Sequence, residues 1–197
     1  MKIGLYGGAF NPVHNGHLAL AEHFKNALEL ERLIFIPTHV PPHKSGDGLV
    51  SGEHRINMLS LALSGLDYCS VSDIEFHREG KSYTYDTVCE LKKFYPDDEF
   101  FLIVGADQYF DFQKWYRADD LLRQVTVCSA ARENNQYRQM LEYKSKHDNM
   151  QNTVVCNFDV TEISSSKIRN MISTGQSVTE FVPDSVLWYI KENNLYV

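Results

Sequence analysis

Residues 3–17 read Ile-Gly-Leu-Tyr-Gly-Gly-Ala-Phe-Asn-Pro-Val-His-Asn-Gly-His. The apolar run Ile3 to Tyr6 predicts a buried strand, and Gly7 and Gly8 then allow the chain to turn sharply. Beyond Pro12 and Asn15-Gly16, the residues Leu18, Ala21, Phe24, Ala27 and Leu28 recur at steps of three and four and predict a helix. A strand, a glycine turn and a helix in that order aim backbone N–H groups and the positive end of a helix dipole at the space above the strand. That suits an anion such as phosphate. The spacing is neither the G-x-G-x-x-G dinucleotide fingerprint nor a P-loop, since no Gly-Lys-Ser/Thr follows.

His14 and His17 stand at the mouth of this helix, three residues apart and so on nearly one face. Gly16 between them permits close approach. A pair of surface histidines at a helix start is the plainer reading. With Gly7, Gly8, Phe10 and Pro12 in the same frame, a phosphate-handling site accounts for more of the residues.

A second helix, running from an N-cap at Ser51 to Leu63 with Ile56, Leu59 and Leu63 inward, follows the strand Arg32 to Thr38. Further strands are expected at Val71 to Phe76, Phe100 to Val104, Val125 to Ala130 and Thr153 to Phe158. Helices are expected at Tyr83 to Tyr95, Asp120 to Arg123, Asn134 to Asp148, Ser164 to Ile172 and after Pro183. The alternation fits parallel βαβ units, and continuous apolar strands fit a sheet covered on both faces. The expectation is a single α/β domain over residues 1–197, with one open, doubly wound parallel sheet and a small helical part from about residue 164 to 197. Ligands of such sheets bind beyond the carboxyl ends of the strands. Gly7, loop 38–44, Gly105 to Asp107 and the residues after Phe158 all fall at such ends.

The formal net charge of −7 argues against a general nucleic-acid binder, though local cations can still hold a small anionic substrate. Cys69, Cys89, Cys128 and Cys156 show neither C-x-x-C nor zinc spacing, so reduced thiols in a cytoplasmic protein are expected. The chain opens directly on a strand without a signal peptide, and no apolar run is long enough for a bilayer.

Ser164, Ser165 and Ser166 with Lys167 and Arg169 offer hydroxyls, helix N–H groups and a guanidinium fork to phosphate oxygens; simple N-capping would need only one serine. Asp107 after Gly105 can accept from a ribose or cap a helix. Lys44, in the stiff Pro41-Pro42-His43-Lys44 loop, is a cation for phosphate or a solvated lysine. The stretch Ser82 to Thr87 reads as a helix N-terminus able to hold a carboxylate. Trp115-Tyr116 can stack on a flat ring or anchor its loop in the core.

Together these motifs resemble the bacterial nicotinate-nucleotide adenylyltransferases over essentially the full length. They comprise His14-Asn15-Gly16-His17 within the first segment, Pro-Pro-His-Lys, Ser-Tyr-Thr-x-Asp-Thr, Val-Gly-Ala-Asp, Trp-Tyr, Ile-Ser-Ser-Ser-x-Ile-Arg and a final Val-x-x-Tyr-Ile-x-x-x-x-Leu-Tyr. The first motif marks the wider HxGH nucleotidyltransferases; the Ser-Tyr-Thr and Trp-Tyr segments narrow it. Ser166 stands where the family commonly has Thr. Ala131-Arg132-Glu133 replaces its Arg-Pro-Gly turn while keeping Arg132.

The resemblance implies a Rossmann-like nucleotidyltransferase fold and the joining of ATP to nicotinate mononucleotide, giving deamido-NAD and pyrophosphate. It implies His14, His17 and Arg169 as catalytic residues. Gly7, Gly8, Ala9, Phe10, Gly105, Asp107, Ser164, Ser165, Ser166 and Ile168 would bind ATP; Lys44, Thr84, Trp115, Tyr116 and Arg132 would bind the second substrate. Mg²⁺ would arrive with ATP, without a protein cage. No nucleic-acid or membrane partner is implied, and a homodimer is compatible. A preference for the amide mononucleotide, a sister transferase, and a non-catalytic nucleotide sensor remain alternatives to this reading.

Overall fold

The computed structural model describes residues 1–42, 48–131, 133–158 and 163–197. Among these, β1 (Lys2–Gly8), β2 (Arg32–Pro37), β3 (Cys69–Val71), β4 (Glu99–Val104), β5 (Val125–Ala131) and β6 (Thr153–Asn157) form one sheet in the order β3-β2-β1-β4-β5-β6. Every neighbouring pair is parallel. The helices are α1 (Asn15–Leu28), α2 (Gly52–Ala62), α3 (Thr84–Phe94), α4 (Ala106–Phe110), α5 (Ala118–Leu122), α6 (Asn134–Lys146), α7 (Ser165–Ser173) and α8 (Asp184–Glu192).

Strand residues alternate between two apolar layers, as a pleated strand buried on both faces requires. Tyr6, Leu33, Phe35, Phe101 and Ile103 join Phe24, Met58 and Ile190 on the side covered by α1, α2, α7 and α8. Ile3, Leu5, Ile34, Ile36, Leu102 and Val104 join Val88, Leu91, Tyr109 and Leu121 on the side of α3 to α6. The residues after 164 therefore pack into the same layer as β1 and α1. The order of strands reverses beside β1, which pairs with β2 on one flank and β4 on the other. A crevice opens at such a point, beyond the carboxyl ends of the strands.

Several local expectations change. The third strand is short and early: Cys69–Val71 pairs with Leu33, Ile34 and Phe35, while Ile74–His77 forms a 3-10 turn. On α2 the buried side chains are Arg55, Met58 and Leu59, and Ile56 is only partly covered. Ala27 on α1 is exposed. Gly7 and Gly8 stay in β1, and the left-handed residue beyond them is Phe10, with φ 46°. A Cβ on Gly8 would lie 3.1 Å from the Phe10 ring, so glycine there makes room for a buried aromatic.

No helix among the described residues is long and apolar enough to cross a membrane. All four thiols are free. Burial pushes Cys69 and Cys156 up to about 11 and Cys128 to about 12.

Candidate active site

The chain leaves β1 over Phe10 and reaches α1 through His14, whose extended backbone caps the helix. The His14 carbonyl accepts from the His17 and Leu18 amides at 2.9 and 3.3 Å. Its own amide donates to Nδ1 of His17 at 3.2 Å. An accepting Nδ1 places the proton of a neutral His17 imidazole on Nε2, which makes that nitrogen a hydrogen-bond donor. The two imidazoles stack with centroids 3.6 Å apart and planes 24° from parallel, and Phe10 meets His17 edge-on at 5.1 Å. A Cβ on Gly16 would sit 3.1 Å from Nδ1 of His14 and 3.2 Å from the Ile163 side chain. The missing side chain is thus what brings α1, His14 and the approach to α7 together.

α7 is bound to this same turn by contacts that span 153 and 158 residues of sequence. Ser165 Oγ donates to the Pro12 carbonyl at 2.8 Å. Arg169 Nη1 donates to the Asn11 carbonyl at 2.9 Å, and its Nη2 donates to Ser166 Oγ at 3.3 Å. Ser164 caps α7 by accepting from the Lys167 amide at 3.2 Å. Neither α1 nor α7 carries an acidic residue in its own first turn, so within each helix no carboxylate offsets the positive end of the dipole.

A cavity of about 530 Å³ lies between these elements, above the ends of β1 and β4. His14, His17, Arg169, Gly7, Gly8, Ala9, Phe10, Gly105, Ser164, Ser165 and Ser166 all contribute to its wall, together with Thr84, Trp115 and Tyr116. Trp115 stacks on buried Phe112 at 5.0 Å and 30°. Its indole Nε1 is buried without a partner among the described residues. Tyr116 lies 4.5 Å from the Tyr83 ring. α3 begins at Thr84 with no side-chain cap, leaving its first N–H groups for the cavity.

Two expected ATP residues lie off this wall. Asp107 is exposed in the first turn of α4, and Ile168 is fully buried in the core. The expectations for Lys44 and Arg132 lie outside the described residues.

The sequence matches the cytidylyltransferase-like family over residues 5–171. It is 41% identical over 198 residues to a probable nicotinate-nucleotide adenylyltransferase of Carboxydothermus hydrogenoformans, covering 99% of this chain and 98% of the relative. A probable nicotinate-nucleotide adenylyltransferase of Lachnoclostridium phytofermentans is 38% identical over 204 residues, covering 100% and 99%. The chain belongs to the nicotinate-nucleotide adenylyltransferases. Its fold is shared with the Plasmodium falciparum nicotinic acid mononucleotide adenylyltransferase complexed with NaAD, at a TM-score of 0.81 and 21% identity, covering 99% of this chain and 97% of that one.

In this nicotinate-nucleotide adenylyltransferase, several residues that sequence reasoning left unassigned support the wall. Arg55, 2% exposed, donates to the carbonyls of Ala9 at 3.0 Å, Thr38 at 2.6 Å and Val50 at 3.2 Å. Burial lowers its pKa. Its signal was positional: an arginine on the buried stripe of a helix, in step with Met58 and Leu59. Glu75 is also buried; it accepts from Thr87 Oγ1 at 2.8 Å and from the His39 amide at 3.3 Å. Arg78 Nη2 donates to Thr87 Oγ1 at 2.6 Å, and so ties the start of α3 to the same group.

No cluster of three or more metal-ligating side chains occurs among the described residues. Among the described residues Glu75 is the carboxylate on the cavity wall, and its oxygens are already engaged by Thr87 and His39. The donor set of the described residues thus does not fit a resident divalent cation.

Proposed function

We propose that this chain joins ATP to nicotinate mononucleotide, releasing pyrophosphate and deamido-NAD. One observation carries the reading: the stacked His14–His17 pair, the Ser164–Arg169 segment and the Thr84–Trp115–Tyr116 group face a single cavity. The first two sets suit phosphates. The third joins an aromatic surface to an uncapped helix start, and so suits a flat ring bearing a carboxylate. The family membership and the NaAD bound by the Plasmodium falciparum enzyme support the same substrates.

A phosphate oxygen of the mononucleotide attacks the α-phosphorus of ATP. A new P–O bond forms as the bond to the β-phosphate bridging oxygen breaks, and pyrophosphate carries away the electron pair. The nucleophile is already anionic, so neither a general base nor a covalent enzyme intermediate is required. The protein contributes alignment and stabilisation of negative charge; alignment alone can supply roughly 7–11 kcal/mol of a barrier. The donor Nε2 of His17, with His14 stacked behind it, acts on the α-phosphate. Ser164, Ser165, Ser166, the α7 N-terminus and Arg169 hold the β- and γ-phosphates. Gly7 to Phe10 and Gly105 form the floor for adenosine. Trp115 stacks on the pyridine ring, and Thr84 with Tyr116 receives the carboxylate. Mg²⁺ enters as part of the substrate MgATP.

The test is pyrophosphate release from ATP across a panel of mononucleotides. Release with nicotinate mononucleotide, and a lower kcat/KM with the amide, is the expected result. No release with any mononucleotide would overturn the enzyme reading; equal kcat/KM for acid and amide would overturn the carboxylate assignment.

A further inference from the structure

The two ends of the segment 38–50 are held by two buried side chains. Arg55 takes the Thr38 carbonyl at one end and the Val50 carbonyl at the other. Asn11 donates from Nδ2 to the Gly48 carbonyl at 2.8 Å and accepts the Val50 amide on Oδ1 at 3.2 Å. The Asn11 carbonyl also receives Arg169 at 2.9 Å. Asn11 therefore joins residues 48–50, of which Leu49 lines the cavity, to the Arg169 guanidinium on the cavity wall.

A third donor completes Asn11. The Tyr196 hydroxyl donates to Oδ1 at 2.9 Å. Burial pushes this phenol well above its ordinary value, so it stays a donor across the physiological range. Leu195, buried in the core, anchors the approach. On either side of it Asn194 and Tyr196 adopt left-handed φ values of 49° and 67°. Such conformations are unfavourable for residues other than glycine and persist where surrounding contacts determine them. Tyr196 lies 185 residues from Asn11 in sequence, and the catalytic scheme above does not use it.

We propose that Tyr196 is a positioning residue for adenylyl transfer, acting through the Asn11 amide to set the 48–50 border of the cavity and the carbonyl that orients Arg169. The inference rests on the adenylyltransferase reading. The Val50 N–H and the Gly48 carbonyl set which amide edge faces each of them, and the hydroxyl, as a second donor to Oδ1, holds the amide in that place. Without it, the amide loses one of its three side-chain bonds and the border loosens where the Val50 N–H is held.

Tyr196→Phe removes only the hydroxyl. It should lower kcat/KM about five- to tenfold, the scale of one lost hydrogen bond. It should also speed hydrogen exchange of the Val50 amide while leaving the Leu33 amide of β2 protected. In an Asn11→Ala background the same substitution should have no further effect on kcat/KM. Wild-type kcat/KM in Tyr196→Phe would overturn the proposal. So would an equal loss in both backgrounds, or faster exchange at Val50 and Leu33 alike, since each marks a role in general stability. If Asn11→Ala does not fold, the local exchange at Val50 in Tyr196→Phe decides. If wild-type protein released no pyrophosphate, the activity reading would fall, and unchanged Val50 exchange would still reject the coupling.

Discussion

In the proposed reaction His17 is one side chain with a part in both fold and chemistry. Its Nδ1 accepts the His14 amide at the start of α1, and this fixes the proton on Nε2. His17→Ala should lower kcat by about 10²–10³-fold, the usual cost of losing a donor to developing negative charge. Its structural role is a hydrogen bond, worth about 1 kcal/mol, together with ring contacts to His14 and Phe10, so the variant should lose some stability and still fold. Single-turnover kinetics beside a thermal melt separates the two; near-normal turnover would remove His17 from the chemistry. Trp115 makes a different prediction. It is held by Phe112 and presents an aromatic surface to the cavity. Trp115→Ala should raise KM for the mononucleotide about tenfold, the scale of one stacked ring, and leave KM for ATP nearly unchanged. Equal effects on both would place the indole elsewhere. His14, His17, Trp115 and Arg169 were legible in the sequence as residues of one cavity wall because their side chains are distinctive where they stand. Arg55 and Asn11 were not, because they hold backbone carbonyls and amides, which every residue has.

The start of α1 is where packing and helix propensity oppose each other. Replacing Gly16 by alanine would favour the helix by about 1 kcal/mol. The added methyl would, however, press on the His14 ring at 3.1 Å and on Ile163 at 3.2 Å. Neither is the loose end of a long side chain, so the stacked imidazole pair must shift. Gly16→Ala should therefore lose at least about tenfold in kcat, since catalysis depends on placement within an ångström, while its melting temperature moves little. An unchanged kcat would show that the pair tolerates displacement. Strand and helix positions were readable in proportion to burial. β4, with five buried residues in a row, declared itself. β3 did not: it is a three-residue edge strand, and the apolar residues that suggested its extension, Ile74 and Phe76, belong to a 3-10 turn.

At the scale of the whole molecule, the three thiols raised by burial share one sign. Unfolding returns each to the ordinary value of 9.0, while the folded values are about 11 for Cys69 and Cys156 and about 12 for Cys128. Below pH 9 both states keep the proton and nothing is lost. Above it the unfolded chain releases protons that the folded chain retains, so stability falls as pH rises from 9 toward 12. Burial raises Tyr109 and Tyr196 in the same direction. These groups should leave the urea midpoint unaffected below about pH 9 and make it decline from there toward 12; a midpoint that holds at pH 11 would contradict their burial. The parallel order and the crevice beside β1 were evident from alternating strands and helices. The binding of Ser165 to the Pro12 carbonyl was not, since no local pattern records which distant turn a helix will meet. That contact also bears on synthesis. A ribosome delivers residues 7–17 of the wall long before α7, which completes it. A nascent chain must therefore carry a half-built trough with its aromatic lining uncovered. On the proposed reading, the phosphate-holding wall is complete only once translation has passed Arg169.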